Sequence, residues 1–216
     1  MFVIEKIKSI KKITSTSKRY DIEVKKNHNF FANNILVHNC SATFFIGTKR
    51  RWDIKNLEFG VCSRNIRLSK PDNSCYWKIA EKYNIGEKLL ELEEAGIVVQ
   101  GECVGGKTQG NKYKLPEQDF LVFNVIDNGT KYTLGQMKVF CHINGLKTVP
   151  IISESWTFNV NNRSNSDIVK DLVNMSEGKS ALNPNIPREG IVVRLKDNPN
   201  ISFKVISPTF ELTYPQ

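Results

Sequence analysis

Four residues near the start of the chain have side chains that could cleave and rejoin a peptide bond. Asn39 lies between His38 and Cys40, and His28 lies further upstream; the whole chain has only three histidines. The Asn39 side-chain amide can attack its own backbone carbonyl, closing a succinimide and releasing the amine of Cys40. Histidine can supply the acid and base for this slow step near pH 7, and a cysteine thiol accepts acyl groups readily. These residues predict a reaction centre at the Asn39–Cys40 bond.

Two short apolar segments lie between these histidines. Phe30–Phe31 and Ile35–Val37 are separated by an Asn-Asn pair, which predicts two strands joined by a turn. Such a hairpin would bring the first histidine back towards the reaction centre. Upstream, alternating apolar residues over 2–13 and a further apolar pattern up to Val24 predict more strands. A basic, strand-rich arm of this kind could also simply bind nucleic acid.

Three short blocks, in this order, resemble the C-terminal splicing blocks of inteins. They are Tyr20–Val24 (YDIEV), His28–Ala32 (HNFFA) and His38–Cys40 (HNC). A complete intein needs far more chain before them, so this part of the sequence resembles the C-terminal half of a split intein, with the all-β, HINT-type fold. The resemblance implies that Asn39 cyclises with help from His28 and His38. It also implies that Cys40 accepts the incoming acyl group and that Asp21 tunes these steps, with no cofactor.

The charge of the chain is unevenly distributed. The formal net charge is +9, and residues 1–39 alone carry eight Lys/Arg against three Asp/Glu. This balance favours polyanionic partners such as RNA, but it would equally steer one intein half to an acidic partner half. Five cysteines without a C-x-x-C pair indicate a reducing compartment. With no signal peptide and no apolar run of membrane-spanning length, the sequence predicts a cytoplasmic protein, of a cell or of a phage or virus, with no membrane partner.

Beyond Cys40 the sequence alternates between strand and helix patterns. Residues 72–94 have helical spacing, with Gly86 expected to divide them, and Ile168–Met175 predicts another helix, capped by Ser166. Strands are predicted at Thr43–Ile46, within 52–68, and at Ile97–Cys103, Phe120–Ile126, Ile191–Leu195 and Ile201–Ile206. Mostly strands with inserted helices indicate an α+β domain.

Short groups of polar residues lie on or beside four of these strands. They are Ser63–Asn65, Gln100–Glu102, Glu189–Gly190 and Ser202–Lys204. Each group alone is typical of a turn or of a solvated strand face. In this order, with Phe120–Phe123 between the second and third, they could line a nucleotide pocket. Such a pocket needs an aromatic ring for the base, carboxylates for the ribose and a divalent metal, and cations for the phosphates.

The same order resembles the covalent nucleotidyltransferases, and most closely the ATP-dependent RNA ligases that seal nicks. The matching stretches are Phe59–Asn65, Gln100–Glu102, Glu189–Arg194 and Phe203–Ile206. The resemblance implies these roles: Arg64 on the ribose or the RNA end, Glu102 on the ribose, Phe123 stacked on adenine, Glu189 on the metal and Lys204 on the α-phosphate. Asn124 and Ser202 depart from the family pattern, because relatives often have aspartate and lysine at these positions.

The nucleophile of these ligases is missing from the sequence. The family attacks ATP with the lysine of a Lys-x-Asp-Gly motif, which immediately precedes a Ser-Ala-Thr-Phe strand. This chain has no Lys-x-Asp-Gly, yet Ser41–Phe44 reads Ser-Ala-Thr-Phe directly after Cys40. The two resemblances therefore meet at Cys40. They imply that the intein divides the ligase just after its nucleophile.

We therefore expect two parts: an all-β split-intein fragment at residues 1–39 and, at residues 40–216, an α+β RNA ligase domain lacking its N-terminal part. The expected partner is an N-terminal intein half fused to the ligase part that carries Lys-x-Asp-Gly. Trans-splicing would give an enzyme that joins RNA through a lysyl–AMP intermediate, with ATP and Mg²⁺ or Mn²⁺. Two alternatives stay open: a splicing-inactive, RNA-binding ligase subunit with a basic arm, or an engineered fusion to an unrelated cargo.

Overall fold

A short hairpin stands at the start of the described part of the chain. The computed structural model describes residues 30–32, 35–37, 41–48, 56–64, 66–69, 74–93, 95–106, 108–157 and 163–214. β1 (Phe30–Ala32) and β2 (Ile35–Val37) pair antiparallel, with Phe30 opposite Val37. Both strands of the hairpin expected from the sequence are therefore confirmed.

The residues predicted to splice lie outside the described part of the chain. They are Asp21, His28, His38, Asn39 and Cys40. The all-β intein fold of residues 1–39 therefore stays a prediction, and so does the domain boundary after residue 39.

Seven strands form one sheet that is almost entirely antiparallel. In chain order they are β3 (Ser41–Thr48), β4 (Leu57–Cys62), β5 (Arg67–Leu68), β6 (Ile97–Val104), β7 (Asp119–Asp127), β8 (Thr130–Lys131) and β9 (Lys147–Thr148). Their order in space is β5-β4-β3-β6-β7-β8, and β9 pairs parallel with β7. β3 and β6 alternate buried and half-buried residues, so each strand presents one side chain in two to the core.

Helices cover one face of this sheet. α1 (Cys75–Lys82) packs on β4 and β6, α2 (Ile85–Leu90) packs on β3 and β4, and α3 (Leu134–Ile143) packs on β7 and β9. The residues buried between the helices and the sheet include Ala42, Phe44, Ile46, Val61, Trp77, Ile85, Leu89, Val99, Phe120, Val122, Val125 and Met137. The ring of Phe44 meets that of Phe120 edge-on at 5.0 Å. This apolar layer leaves the opposite face of β3, β6 and β7 available for polar residues.

A second, two-stranded sheet lies outside the main one. β10 (Gly190–Arg194) and β11 (Ser202–Ile206) pair antiparallel, with Val192 opposite Lys204. α4 (Asn165–Ser176) packs against both strands, and α5 (Pro208–Thr213) follows β11 directly. A hairpin alone is marginally stable, so packing against α4 is what allows β10 and β11 to hold a fixed geometry.

The mixed α/β fold expected beyond residue 40 is confirmed, but α3 and α5 were not predicted, and two details of the predicted helices differ. The break between α1 and α2 falls at Asn84, which has φ 50, and not at Gly86, which lies inside α2. α4 is capped by Ser164 instead of Ser166, because Ser164 and Asp167 form a reciprocal capping box. No helix in the described part of the chain is both long and apolar enough to span a bilayer.

Candidate nucleotide site

The candidate site begins on the face of the main sheet that the helices do not cover. In β6, Ile97, Val99 and Cys103 point into the core. Because side chains alternate along a strand, Gln100 and Glu102 lie on the opposite face. Glu102 pairs across the ladder with Ser41 of β3 on one side and with Leu121 of β7 on the other.

A β-bulge places Phe123 on the same face as Glu102. Gln100 pairs with Asn124, but the next residue, Gly101, pairs with Val122, so Phe123 is the extra residue of β7. Val122 and Val125 both lie in the core, which leaves Phe123 and Asn124 on the other face. The Asn124 side chain donates to Oε1 of Gln100 at 3.0 Å. This hydrogen bond holds the Asn124 side chain of the bulge against Gln100 of β6.

The β10–β11 hairpin supplies the second wall of the site. Glu189 directly precedes β10, and its Oε1 accepts a hydrogen bond from Nζ of Lys204 in β11 at 2.5 Å. Gly190 allows β10 and β11 to lie this close together: its φ is 152, and a Cβ there would lie 2.1 Å from the carbonyl oxygen of Val205. Ser207, which follows β11, donates its backbone N–H to the Glu189 carbonyl at 2.9 Å and so joins the end of β11 to the residue before β10.

Four of the five expected ligase residues are charged, and they interact electrostatically. Burial raises the pKa of Glu102 to about 7; the negative charge of Glu189 raises it as well, whereas Lys204 and Arg64 oppose the shift. Arg64 follows β4, beside a turn in which Ser63 donates its backbone N–H to the Ile66 carbonyl at 3.0 Å. Glu102, Glu189, Lys204 and Arg64 therefore form one electrostatic cluster, although they come from separate parts of the chain.

The β10–β11 hairpin connects Phe123 to this cluster. Nη1 of Arg194, at the end of β10, donates to the Phe123 carbonyl at 3.0 Å. Burial lowers the pKa of Arg194, and burial together with the Arg194 charge lowers that of Lys131 in β8. The β10–β11 hairpin and the bulge thus meet at the Phe123 backbone, where Arg194 and Lys131 lie close enough to interact.

Two residues of the site were missed by the sequence-based prediction. Arg194 stands inside the Glu189–Arg194 stretch, so its position in that stretch was a usable signal. Tyr113, just after the 3₁₀ turn Thr108–Asn111, donates its hydroxyl to Oε2 of Glu189 at 3.5 Å. It lies in an irregular loop with no motif around it, and nothing in the sequence pointed to it.

The residues present suit a hard divalent cation that is held partly by substrate. Glu102 and Glu189 offer carboxylate oxygens, which Mg²⁺ and Mn²⁺ prefer. Among the described residues, no cluster of three or more His, Cys, Asp or Glu forms a complete cage. A metal bound through one or two carboxylates and nucleotide phosphates fits this donor set, whereas a purely protein-bound ion does not.

The comparisons with known proteins place the chain in a family. A family model described as RNA ligase matches residues 30–206. The chain belongs to the RNA ligase family. The match includes the β1–β2 hairpin, which lies before the expected boundary at residue 39. The tRNA-splicing ligase RtcB of Methanocaldococcus jannaschii is 34% identical over 122 residues, which are 47% of this chain and 13% of that protein.

Solved structures of the Naegleria gruberi RNA ligase have the same fold. Its complex with PPi aligns with a TM-score of 0.65 and 29% identity, over 82% of this chain and 49% of that one. A mutant of that ligase with ATP and Mn aligns with a TM-score of 0.67 and 27% identity, over 82% and 50%. The chain therefore spans about half the length of the ligase structures that it matches.

Proposed function

We propose that this chain supplies the C-terminal part of an ATP-dependent RNA ligase that works through a lysyl–AMP intermediate. The observation that carries the proposal is the convergence of Glu102, Glu189, Lys204 and Arg64 on one cluster, next to Phe123. Membership in the RNA ligase family supports it, as do the Naegleria complexes with ATP and Mn and with AMP and Mn.

Each of these residues has a role that its chemistry suits. The ring of Phe123 offers a stacking face for the adenine base, and ionised Glu102 accepts hydrogen bonds from the ribose hydroxyls. Lys204, on the central part of β11, donates to the α-phosphate, and Arg64 holds the ribose or the RNA end. Glu189 would hold Mg²⁺ or Mn²⁺, which neutralises phosphate charge when bound.

The attacking lysine is proposed to come from a partner chain. Ser41 begins β3, and its register partner is Glu102, at the centre of the cluster. A residue placed a few positions before Ser41 in a joined polypeptide would therefore enter the site along β3. This geometry supports a division of the ligase at the Asn39–Cys40 bond, one residue before β3, with Lys-x-Asp-Gly on the N-terminal partner.

We further propose that residues 1–39 join the two ligase parts by protein trans-splicing. The sequence blocks around Asp21, His28 and Asn39 carry this proposal, and the β1–β2 hairpin is compatible with it. In the step that releases the intein, the Asn39 side-chain nitrogen bonds to the backbone carbonyl carbon of the same residue. The bond to the Cys40 nitrogen breaks, and that nitrogen leaves as a free amine. The thioester left on Cys40 then rearranges to a peptide bond.

The test of splicing is to mix the purified chain with its cognate N-terminal half. We expect residues 1–39 to be released and a joined protein to carry Cys40 internally. Asn39→Ala should stall the reaction at the branched intermediate, whereas Cys40→Ala should prevent branching and leave some cleavage after Asn39. Mass spectrometry that finds normal joining with Asn39→Ala would refute the mechanism.

The second candidate is a splicing-inactive ligase subunit with a basic RNA-binding arm. The family match that starts at residue 30, before the expected boundary, favours it. Under this reading the unaltered chain keeps residues 1–39 in the presence of every candidate N-terminal half, and truncation of the arm weakens RNA binding. The same mass spectrometric assay therefore separates the two candidates.

A further inference from the structure

Tyr113 is fixed at both its backbone and its ring. Its carbonyl accepts a hydrogen bond from Nδ2 of Asn183 at 3.0 Å, which ties the loop after β6 to the segment before β10. Its ring lies 6.5 Å from that of Phe210 in α5, which is fully buried. The segment before β10 and helix α5 therefore set the direction in which the Tyr113 hydroxyl points.

The hydroxyl points at the oxygen of Glu189 that Lys204 does not occupy. Nζ of Lys204 donates to Oε1 at 2.5 Å, and the Tyr113 hydroxyl donates to Oε2 at 3.5 Å. A tyrosine hydroxyl keeps its proton throughout the neutral range, so the phenol can act as a donor there. One charged and one neutral donor thus share this carboxylate.

The two donors differ in what happens when a nucleotide arrives. An ammonium beside a phosphate is drawn towards the larger negative charge, so Lys204 must leave Glu189 at least in part to contact the α-phosphate. Tyr113 is half-buried, with its backbone bound by Asn183 and its ring near that of Phe210, so its phenol has no comparable reason to move. Each carboxylate oxygen has two lone pairs, so a hydroxyl on Oε2 still leaves room for a metal ion. Contacts of this kind are often long without ligand and shorten in the complex.

We propose that Tyr113 is a positioning residue that keeps the Glu189 carboxylate aimed at the metal once Lys204 has moved to the nucleotide phosphate. This inference rests on the proposed ligase function. Hydrogen bonds that orient a ligating carboxylate typically change metal affinity by about 10–100-fold. Tyr113 would contribute through Glu189, without touching the nucleotide itself.

The experiment measures Mn²⁺ binding to the purified full chain in the presence of ATP by water-proton relaxation, so that nucleotide phosphates complete the metal site and Lys204 can move to them. Tyr113→Phe removes the hydroxyl and keeps the ring on Phe210, and we expect it to bind Mn²⁺ about tenfold more weakly. Tyr132→Phe is the matched control, because its ring packs 6.2 Å from Phe140 on the α3 side. We expect this control to match the unaltered chain.

Glu189→Gln separates failure of the inference from failure of the metal assignment. If Glu189→Gln weakens Mn²⁺ binding but Tyr113→Phe leaves it unchanged, Tyr113 has no positioning role and the ligase proposal stands. If the unaltered chain and Glu189→Gln bind Mn²⁺ equally, or neither binds, Glu189 holds no metal and both are overturned. In joined ligase, Tyr113→Phe should raise the half-saturating Mn²⁺ concentration about tenfold, with the rate recovering at saturating Mn²⁺.

Discussion

Glu102 is a carboxyl whose charge depends strongly on its surroundings. Its folded-state pKa of about 7 lies above the ordinary value of 4.5, chiefly because the side chain is buried and then because Glu189 is near. The folded protein therefore holds a proton on Glu102 that the unfolded chain has lost between about pH 4.5 and 7. The stabilisation associated with this proton is present at low pH and is lost as the pH rises through 7.

Replacing this carboxyl should therefore stabilise the protein only at higher pH. We expect Glu102→Gln to match the unaltered chain near pH 4.5 and to exceed its free energy of unfolding by roughly 2–3 kcal/mol at pH 8. Urea denaturation across this pH range measures the difference, with the exposed Glu117→Gln as control. A constant difference between Glu102→Gln and the unaltered chain at every pH would contradict the assigned environment.

At the scale of the elements, sequence patterns predicted those whose two faces differ. The strands predicted at Thr43–Ile46, Ile97–Cys103 and Ile191–Leu195 are β3, β6 and β10, and β3 and β6 alternate buried and half-buried residues. The helix α3 was missed because its valine, isoleucine and phenylalanine suit a strand equally well. Its reciprocal capping box, Thr133 with Gln136, was the available signal.

The bulge in β7 could not be predicted from the sequence. Residues 120–126 are apolar on both faces of the strand, so no alternation reveals where one extra residue enters. The position of Phe123 is decided by tertiary contacts: the Arg194 bond to its carbonyl and the Asn124–Gln100 bond beside it. Tyr113 was missed for the same reason, since only the fold brings it to Glu189.

Gly101 makes the bulge possible, because β6 and β7 approach closely there. A Cβ at this position would lie 2.5 Å from the Leu121 carbonyl oxygen and 2.5 Å from the ring of Phe120, which is buried. We expect Gly101→Ala to lower the free energy of unfolding by about 1–3 kcal/mol through overpacking, as measured by urea denaturation. Gly135→Ala in α3, where nothing lies within 4 Å, should stabilise by up to about 1 kcal/mol. A neutral Gly101→Ala would show that the register at the bulge is wrong.

At the scale of the whole molecule, the candidate site lacks the nucleophile that the proposed ligase reaction needs. We propose that Phe123, Glu102, Glu189 and Lys204 hold a nucleotide, but the sequence has no Lys-x-Asp-Gly to attack it. Positioning accelerates a reaction between groups that are present and cannot replace an absent nucleophile. The proposed division at the Asn39–Cys40 bond would account for this gap.

The ligase proposal therefore predicts that adenylylation requires both parts. The purified chain should take up no label from α-labelled ATP, whereas the joined product should be labelled on its N-terminal portion. Within that product, Lys204→Ala should lower labelling about 100-fold, as loss of a buried donor to developing charge typically does, while splicing proceeds normally. The exposed Lys196→Ala, between β10 and β11, is the matched control and should label normally.

The contribution of unspliced parts held together without a covalent link has to be measured separately. The pair with Asn39→Ala and Cys40→Ala cannot complete splicing, yet it can still bring the N-terminal lysine towards Ser41 and Glu102. Labelling of this pair would mean that association alone builds the site. Label confined to spliced material would mean that the strand leading into β3 has to be continuous, since the nucleophile reaches the cluster through that strand. Label on the purified chain without any partner would reveal a nucleophile within residues 1–216, and the division at the lysine would then be wrong.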